Sequence, residues 1–67
     1  MPRISLKAAR VNANMTQAEV AKRLKKSKVT INAWEQGKVR IDLANFKMLC
    51  DIYQMPESAI ILPGESS

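Results

Sequence analysis

The chain has 67 residues, a net charge of +5, no histidine and a single cysteine, Cys50. This length allows one small domain, and the cysteine and histidine counts exclude an internal disulfide, a Cys/His zinc site and a Cys/His catalytic pair. The longest apolar run, residues 59–62, cannot span a membrane, and the amino end lacks the apolar core of a signal peptide, so we expect a soluble cytoplasmic protein.

The positive charge is concentrated between residues 22 and 40. That segment holds seven basic side chains and one acid, a net charge of +6, which leaves −1 for the rest of the chain. A positive field focused on one region favours a polyanionic partner such as a nucleic acid. The alternative is a solvated basic surface that only keeps the protein soluble.

The first predicted element is a helix over about residues 5–13, preceded by a short arm at residues 1–4. Ser5 suits its N-cap, and Asn14 can adopt the left-handed conformation that ends a helix. Arg10 falls on the apolar side of this helix, where a charge needs a partner. Glu35, the one acid of the basic segment, is the candidate partner. The alternative is that Arg10 reaches solvent along its aliphatic stem.

Two short helices follow, over about residues 16–24 and 27–36. Thr16 and Glu19 have the capping-box spacing, and Ser27 is a good N-cap for the second helix. Gly37 supplies the left-handed residue that ends the pair. Two short helices with so brief a connection match the helix-turn-helix pattern.

The helix over residues 27–36 has two faces of different chemistry. Ile31 and Trp34 lie on one side, where we expect them to anchor the helix in the core. The opposite side is short and mostly neutral, and it comprises Lys28, Val29, Asn32, Ala33 and Gln36. Bulky or acidic side chains would keep a helix away from the bases, so this composition suits entry into a DNA groove.

Residues 42–53 are predicted to form a fourth helix, with Asp42 as its N-cap. Cys50 falls on its apolar stripe and is expected to be a buried hydrophobe rather than a reactive thiol. Pro56 suits the first turn of a fifth helix over residues 56–62, although residues 60–62 could instead be extended. We expect one domain over residues 1–64 and a flexible tail at 65–67.

The motif residues resemble a known family. The string Thr16-Gln17-x-x-Val20-Ala21-x-x-Leu24, then Ser27-x-x-Thr30-Ile31-x-x-Trp34-Glu35-x-Gly37-Lys38, is similar to the phage repressor and Cro type of helix-turn-helix domain, also called the XRE family. The resemblance covers about residues 5–62. It implies an all-α, compact five-helix bundle of the lambda-repressor-like type that binds operator DNA as a homodimer. The second helix of the motif would then lie in the major groove, and the first would cross the backbone.

The resemblance also implies roles for individual residues. Base edges would be read by Lys28, Val29, Asn32 and Ala33, with lysine on a guanine, valine against a thymine methyl and asparagine on an adenine. Phosphates would be bound by Gln17, Thr30, Gln36, Lys38, Arg40, and Arg10 or Lys7. Gln17 would also brace the reading helix, and the pairing of Arg10 with Glu35 is a pattern of the family. Many relatives have glycine where this chain has Lys25, so the turn must tolerate a side chain there or strain its backbone.

Dimerisation is expected to come from the domain itself, because the second domain of many phage repressors has no counterpart here. The candidates for a small apolar interface are Tyr53, Ile60, Ile61 and Leu62. The alternative is that these side chains belong only to the core.

Two classes of function remain in competition. The leading hypothesis is a sequence-specific, repressor-like regulator of transcription. The alternative is a protein-interaction module with the same fold, such as an antitoxin-type or anti-repressor-type partner, marked by an exposed apolar patch at the carboxy end. An enzyme is disfavoured, because the chain has no histidine, no plausible carboxylate pair and no glycine-rich phosphate loop. No metal, cofactor or membrane partner is expected.

Overall fold

Within residues 3–64, the regular structure consists of four α-helices, one 3-10 helix and one short strand pair. The computed structural model describes residues 3–64. Its elements follow in the order β1 (Ile4–Ser5), α1 (Leu6–Asn12), α2 (Gln17–Leu24), α3 (Lys28–Gln36), α4 (Leu43–Tyr53), a 3-10 helix (Glu57–Ala59) and β2 (Ile60–Ile61). The architecture is therefore helical, as expected, but with four α-helices rather than five.

Each α-helix begins at a side-chain cap. Ser5, Thr16, Ser27 and Asp42 each accept a hydrogen bond from the backbone N–H three residues further on. These bonds satisfy donors that the first turn of a helix would otherwise leave unpaired. All four caps are the residues that the sequence predicts, so the starts of the four helices are recovered from local chemistry.

Left-handed residues mark the helix ends. Asn14, Lys25, Gly37 and Gln54 have φ values of 58°, 57°, 77° and 55°. Asn14 and Gly37 were expected in this conformation. The sequence left open how the turn accommodates Lys25 in place of glycine. In the structure, Lys25 adopts the left-handed backbone conformation that favours glycine.

The predicted fifth helix over residues 56–62 is wrong. Only Glu57–Ala59 form a single 3-10 turn, and Ile60–Ile61 continue as the strand β2. This strand pairs in parallel with β1, with Ile4 opposite Ile60 and Ser5 opposite Ile61. Two successive β-branched residues favour the extended backbone, and β1 supplies the hydrogen-bond partners that a further helical turn would have supplied.

The same pairing corrects the prediction of a short arm at residues 1–4. Ile4, assigned to a short arm, lies in β1 and packs against the core. The guanidinium of Arg3 donates a hydrogen bond of 3.0 Å to the carbonyl oxygen of Ile60. Residues 1 and 2 of the predicted arm, and the predicted tail at 65–67, lie outside the described residues.

One continuous core joins the four helices to β2. Leu6, Val20, Ile31, Leu49 and Ile60 are the largest of its fully buried side chains. Ile31 and Trp34 belong to this core, so they anchor α3 from behind. Cys50 is also buried and free, and burial raises the pKa of its thiol, with Glu57 and Asp51 adding to the shift.

Candidate nucleic-acid interface

The turn between α2 and α3 holds the two helices in a fixed relation. Thr16 and Glu19 form the complete capping box at the start of α2, each side chain bonding the other's backbone N–H. At the other end, the backbone N–H of Lys26 donates to the carbonyl of Ala21 at 2.9 Å, across the left-handed Lys25. This pattern closes the carboxyl end of α2 and lets α3 begin at once after Ser27.

The outer face of α3 is open to solvent. Val29 is 76 % exposed and Lys28 is exposed, whereas Asn32 and Ala33 are half-buried. Gln17, Lys28, Val29 and Asn32 together line one open cavity. The structure thus brings three of the four predicted base-reading residues, Lys28, Val29 and Asn32, to one accessible side of α3. The fourth, Ala33, does not line this cavity.

Arg10 and Glu35 form the ion pair that the sequence suggested. Arg10 Nε lies 2.7 Å from Glu35 Oε2, and their side chains are only 11 % and 5 % exposed. Arg10 Nη2 donates to Glu35 Oε1 at 3.3 Å and Nη1 to the carbonyl of Met15 at 2.9 Å. The hydrogen bond to Glu35 raises the pKa of Arg10. Nearby Tyr53 has its pKa raised to about 12, by burial first and then by the charge of Glu35.

The hydrogen bonds of Arg10 are therefore all made within the domain, and the side chain is not free to bind a phosphate. Each of its three nitrogens donates to a protein oxygen, and the side chain is almost inaccessible. Of the two residues expected to bind phosphate near α1, this leaves Lys7, which is exposed.

Gln17 joins α2 to α3. Its Nε2 donates to Glu35 Oε1 at 2.9 Å and to Asn32 Oδ1 at 3.2 Å. These bonds brace α3 as expected. They also use both hydrogens of the amide, so the side chain has no donor left for a phosphate in this arrangement.

The other expected phosphate contacts lie on the surface around α3. Gln36, Lys38 and Arg40 are exposed at its end and in the loop that follows. Thr30 is half-buried, and its hydroxyl is 3.0 Å from that of Ser27. All seven basic side chains between residues 22 and 40 are exposed. The excess positive charge is thus a surface property of the motif.

The carboxy-terminal residues expected at a dimer interface divide into two groups. Tyr53 and Ile60 are 6 % and 1 % exposed and belong to the core of this domain, so they are not available to a second copy. Ile61 and Leu62 are half-buried. Tyr53 lies on α4, and along β2 the alternation of side chains puts Ile61 on the side opposite to Ile60. Leu62 packs partly against the core.

The bond from Gln17 to Asn32 was not foreseen. Its signal lay in the spacing of Asn32 and Glu35, which are three residues apart and so share a side of α3. A single amide at the start of α2 can therefore reach both. Which two residues it would reach depends on how the helices cross.

One comparison with known proteins identifies the family of this chain. A family model described as Helix-turn-helix matches residues 6–60. No curated protein and no solved structure matches the chain. Among residues 3–64, no helix has the length and apolar character needed to cross a bilayer, and no cluster of three potential metal ligands occurs. The match spans most of the chain, which therefore belongs to the XRE-type helix-turn-helix family of DNA-binding regulators, the type of the phage repressors and Cro.

Proposed function

We propose that this protein is a repressor that recognises a specific operator in double-stranded DNA by inserting the outer face of α3 into the major groove. The observation that carries the proposal is the open cavity lined by Lys28, Val29 and the half-buried Asn32, on the side of α3 away from the buried Ile31 and Trp34. This face presents donors and a small apolar group without an acid, which matches the base edges of that groove.

Phosphate contacts would surround this face. Lys38, Arg40 and Lys7 supply exposed charges, and Thr30 and Gln36 supply polar groups beside α3. The backbone N–H groups of Gln17 and Ala18, in the first turn of α2, find no acceptor within residues 3–64. They offer a phosphate the donors that the Gln17 side chain has used internally.

We further propose that two copies bind an operator with two-fold symmetry. Of the four apolar candidates for this contact, Ile61 and Leu62 are the two with surface left for it. The half-sites would then lie about one helical turn apart, roughly 10 base pairs. The cytoplasm is the proposed location, because a free thiol such as Cys50 stays reduced there.

The alternative is a protein-interaction module, whose marker was an exposed apolar patch at the carboxy end. Two of the four candidate side chains there, Tyr53 and Ile60, lie in the core, and the other two, Ile61 and Leu62, are half-buried. The concentration of charge around α3 fits a polyanion instead.

Selection of duplexes from a random pool tests the proposal. The selected duplex should bind more tightly than a random one. For both duplexes, the logarithm of the binding constant should fall linearly with the logarithm of the salt concentration, with a slope of about −0.9 for each phosphate neutralised. An inverted repeat in the selected sequences, bound by two chains, would support the dimer. Equal affinity for selected and random duplexes would rule out operator recognition. A reporter gene behind the selected site then distinguishes repression from activation.

A further inference from the structure

Four side chains stand in series between the interior of the domain and the outer face of α3. They are Arg10, Glu35, Gln17 and Asn32, each joined to the next by a hydrogen bond. The series begins with a nearly buried ion pair and ends at a predicted base-reading residue. Its hydrogen bonds decide which end of each amide faces which neighbour.

The orientation of Gln17 follows from Glu35. A carboxylate oxygen only accepts hydrogen bonds, so the atom of Gln17 that lies 2.9 Å from Glu35 Oε1 has to be its nitrogen. Arg10 holds that carboxylate in place with two of its own donors. The Gln17 amide therefore cannot rotate by half a turn without setting an oxygen against an oxygen.

The orientation of Asn32 follows from Gln17. The nitrogen of Gln17 lies 3.2 Å from the nearest polar atom of Asn32, which must then be the acceptor, Oδ1. Gln36 Nε2 donates to the same oxygen at 3.2 Å. An amide oxygen has two lone pairs, so both positions on Asn32 Oδ1 are filled from within the protein.

The amide nitrogen of Asn32 is the polar atom of this side chain that is still able to form hydrogen bonds with DNA. Within residues 3–64 this nitrogen has no acceptor, and Asn32 lines the open cavity beside Lys28 and Val29. Bidentate recognition of adenine needs the asparagine oxygen to accept from N6 while its nitrogen donates to N7. That oxygen is already occupied, which argues against the expected pairing of Asn32 with adenine.

We propose that the Arg10–Glu35 pair, acting through Gln17, makes Asn32 a pure donor that selects guanine. Guanine presents two acceptors in the major groove, O6 and N7, which suit the two free hydrogens of the amide nitrogen. Gln17 and Glu35 are then positioning residues for base specificity as well as for packing. This inference rests on the proposed function and adds the base class that Asn32 reads.

The test begins with the unaltered protein and its selected duplex. The base pair read by Asn32 is identified as the position at which the unaltered protein prefers one base and Asn32→Ala has no preference. At that pair we expect guanine to be favoured over adenine by about tenfold. Replacing that guanine with 7-deazaguanine, which lacks the N7 acceptor, should weaken binding of the unaltered protein but not of Asn32→Ala. A preference for adenine at this pair would overturn the inference.

A second arm tests the role of Gln17. In Gln17→Leu the oxygen of Asn32 loses one of its two donors, so the preference for guanine over adenine should shrink or reverse. A merely structural role would lower affinity for all duplexes alike and leave that ratio unchanged, which would contradict the inference. Circular dichroism and thermal unfolding establish that the variant is folded.

A third measurement needs neither DNA nor a variant. In ¹⁵N-labelled protein, the side-chain amide protons of Gln17 should exchange with solvent more slowly than those of Asn32, because only the former are hydrogen-bonded internally. Equal exchange rates would contradict the arrangement.

The DNA experiments distinguish failure of the proposed function from failure of this inference. If selected and random duplexes bind alike, the proposed function fails. If selection succeeds but Asn32 reads adenine, only this inference fails.

Discussion

Arg10 Nε lies 2.7 Å from Glu35 Oε2, and this ion pair is almost completely shielded from water. Taking two charges out of water is costly, and the pair stays favourable only while both members are present. Since Glu35 also accepts from Gln17, the pair ties α1, α2 and α3 together.

We expect Arg10→Met to lower the free energy of unfolding by roughly 3–5 kcal/mol, because it leaves the Glu35 carboxylate buried without its cation. The double variant Arg10→Met/Glu35→Leu removes that charge and should be more stable than Arg10→Met alone. Urea titrations followed by circular dichroism measure both. A double variant less stable than the single one would show that the pair is not coupled in this way.

The second prediction concerns the stability of variants at Gly37, which ends α3. Gly37 has a φ of +77°, and a Cβ added there would lie 2.7 Å from Pro63 Cβ. Gly64 has a similar φ of +81°, but a Cβ there would meet nothing within 4 Å. Gly64→Ala should therefore show only the backbone cost, about 1 kcal/mol, and Gly37→Ala a larger loss. Thermal unfolding of the two variants measures the difference, and equal losses would contradict the contact with Pro63.

The turn of the motif predicts a gain in stability. Lys25 is left-handed, with φ 57° and ψ 41°, which costs an L-residue more than it costs glycine. Lys25→Gly should stabilise the folded state by roughly 0.5–1 kcal/mol after the entropy cost of glycine is counted. Lys25→Ala is the matched control, since it removes the same charge and keeps the Cβ. If the two variants have the same midpoint in urea, the strain is absent.

Val29 offers a test of direct reading. Its side chain is 76 % exposed on the face assigned to DNA and should contact a thymine methyl. Replacing each thymine of the selected duplex by uracil should, at one position, cost about 0.8 kcal/mol of binding free energy. In Val29→Ala the same replacement should cost much less. A uracil effect that is unchanged in the variant would assign the methyl to another residue.

Acid should weaken the helix caps. The pKa of Glu19 is lowered chiefly by the hydrogen bond from the Thr16 backbone, and that of Asp42 chiefly by the Asn45 side chain. A lowered pKa in the folded state contributes stability that is complete above the ordinary pKa, about 4, and is lost as pH falls through the lowered value. Glu19→Gln/Asp42→Asn keeps both caps without titrating. Its melting temperature should therefore fall less between pH 6 and pH 3 than that of the unaltered protein. An equal fall would exclude the caps as the cause.

Local chemistry in the sequence was enough to predict much of this molecule. The caps at Thr16 and Ser27 and the inward side of α3 depend on neighbours within one or two turns, so their patterns are visible in the sequence. The Arg10–Glu35 pair was also accessible, because one acid in a basic segment leaves little choice of partner.

What could not be predicted depends on helix crossing and on contacts between distant segments. The pairing of Ile4 with Ile60 joins residues near opposite ends of the chain. The apolar run at residues 59–62 is so short that its pattern suits a helix or a strand equally. The amide of Gln17 could have faced a phosphate or α3. Only the relative placement of α2 and α3 decides that it donates to Asn32 and Glu35.

The parallel pairing of β1 with β2 has a consequence for synthesis on the ribosome. β1 leaves the exit tunnel first, but its hydrogen-bond partner is made more than fifty residues later. A nascent chain can therefore form its helices early, yet it cannot complete this domain until Ile61 has emerged, and so it completes folding as a single late step.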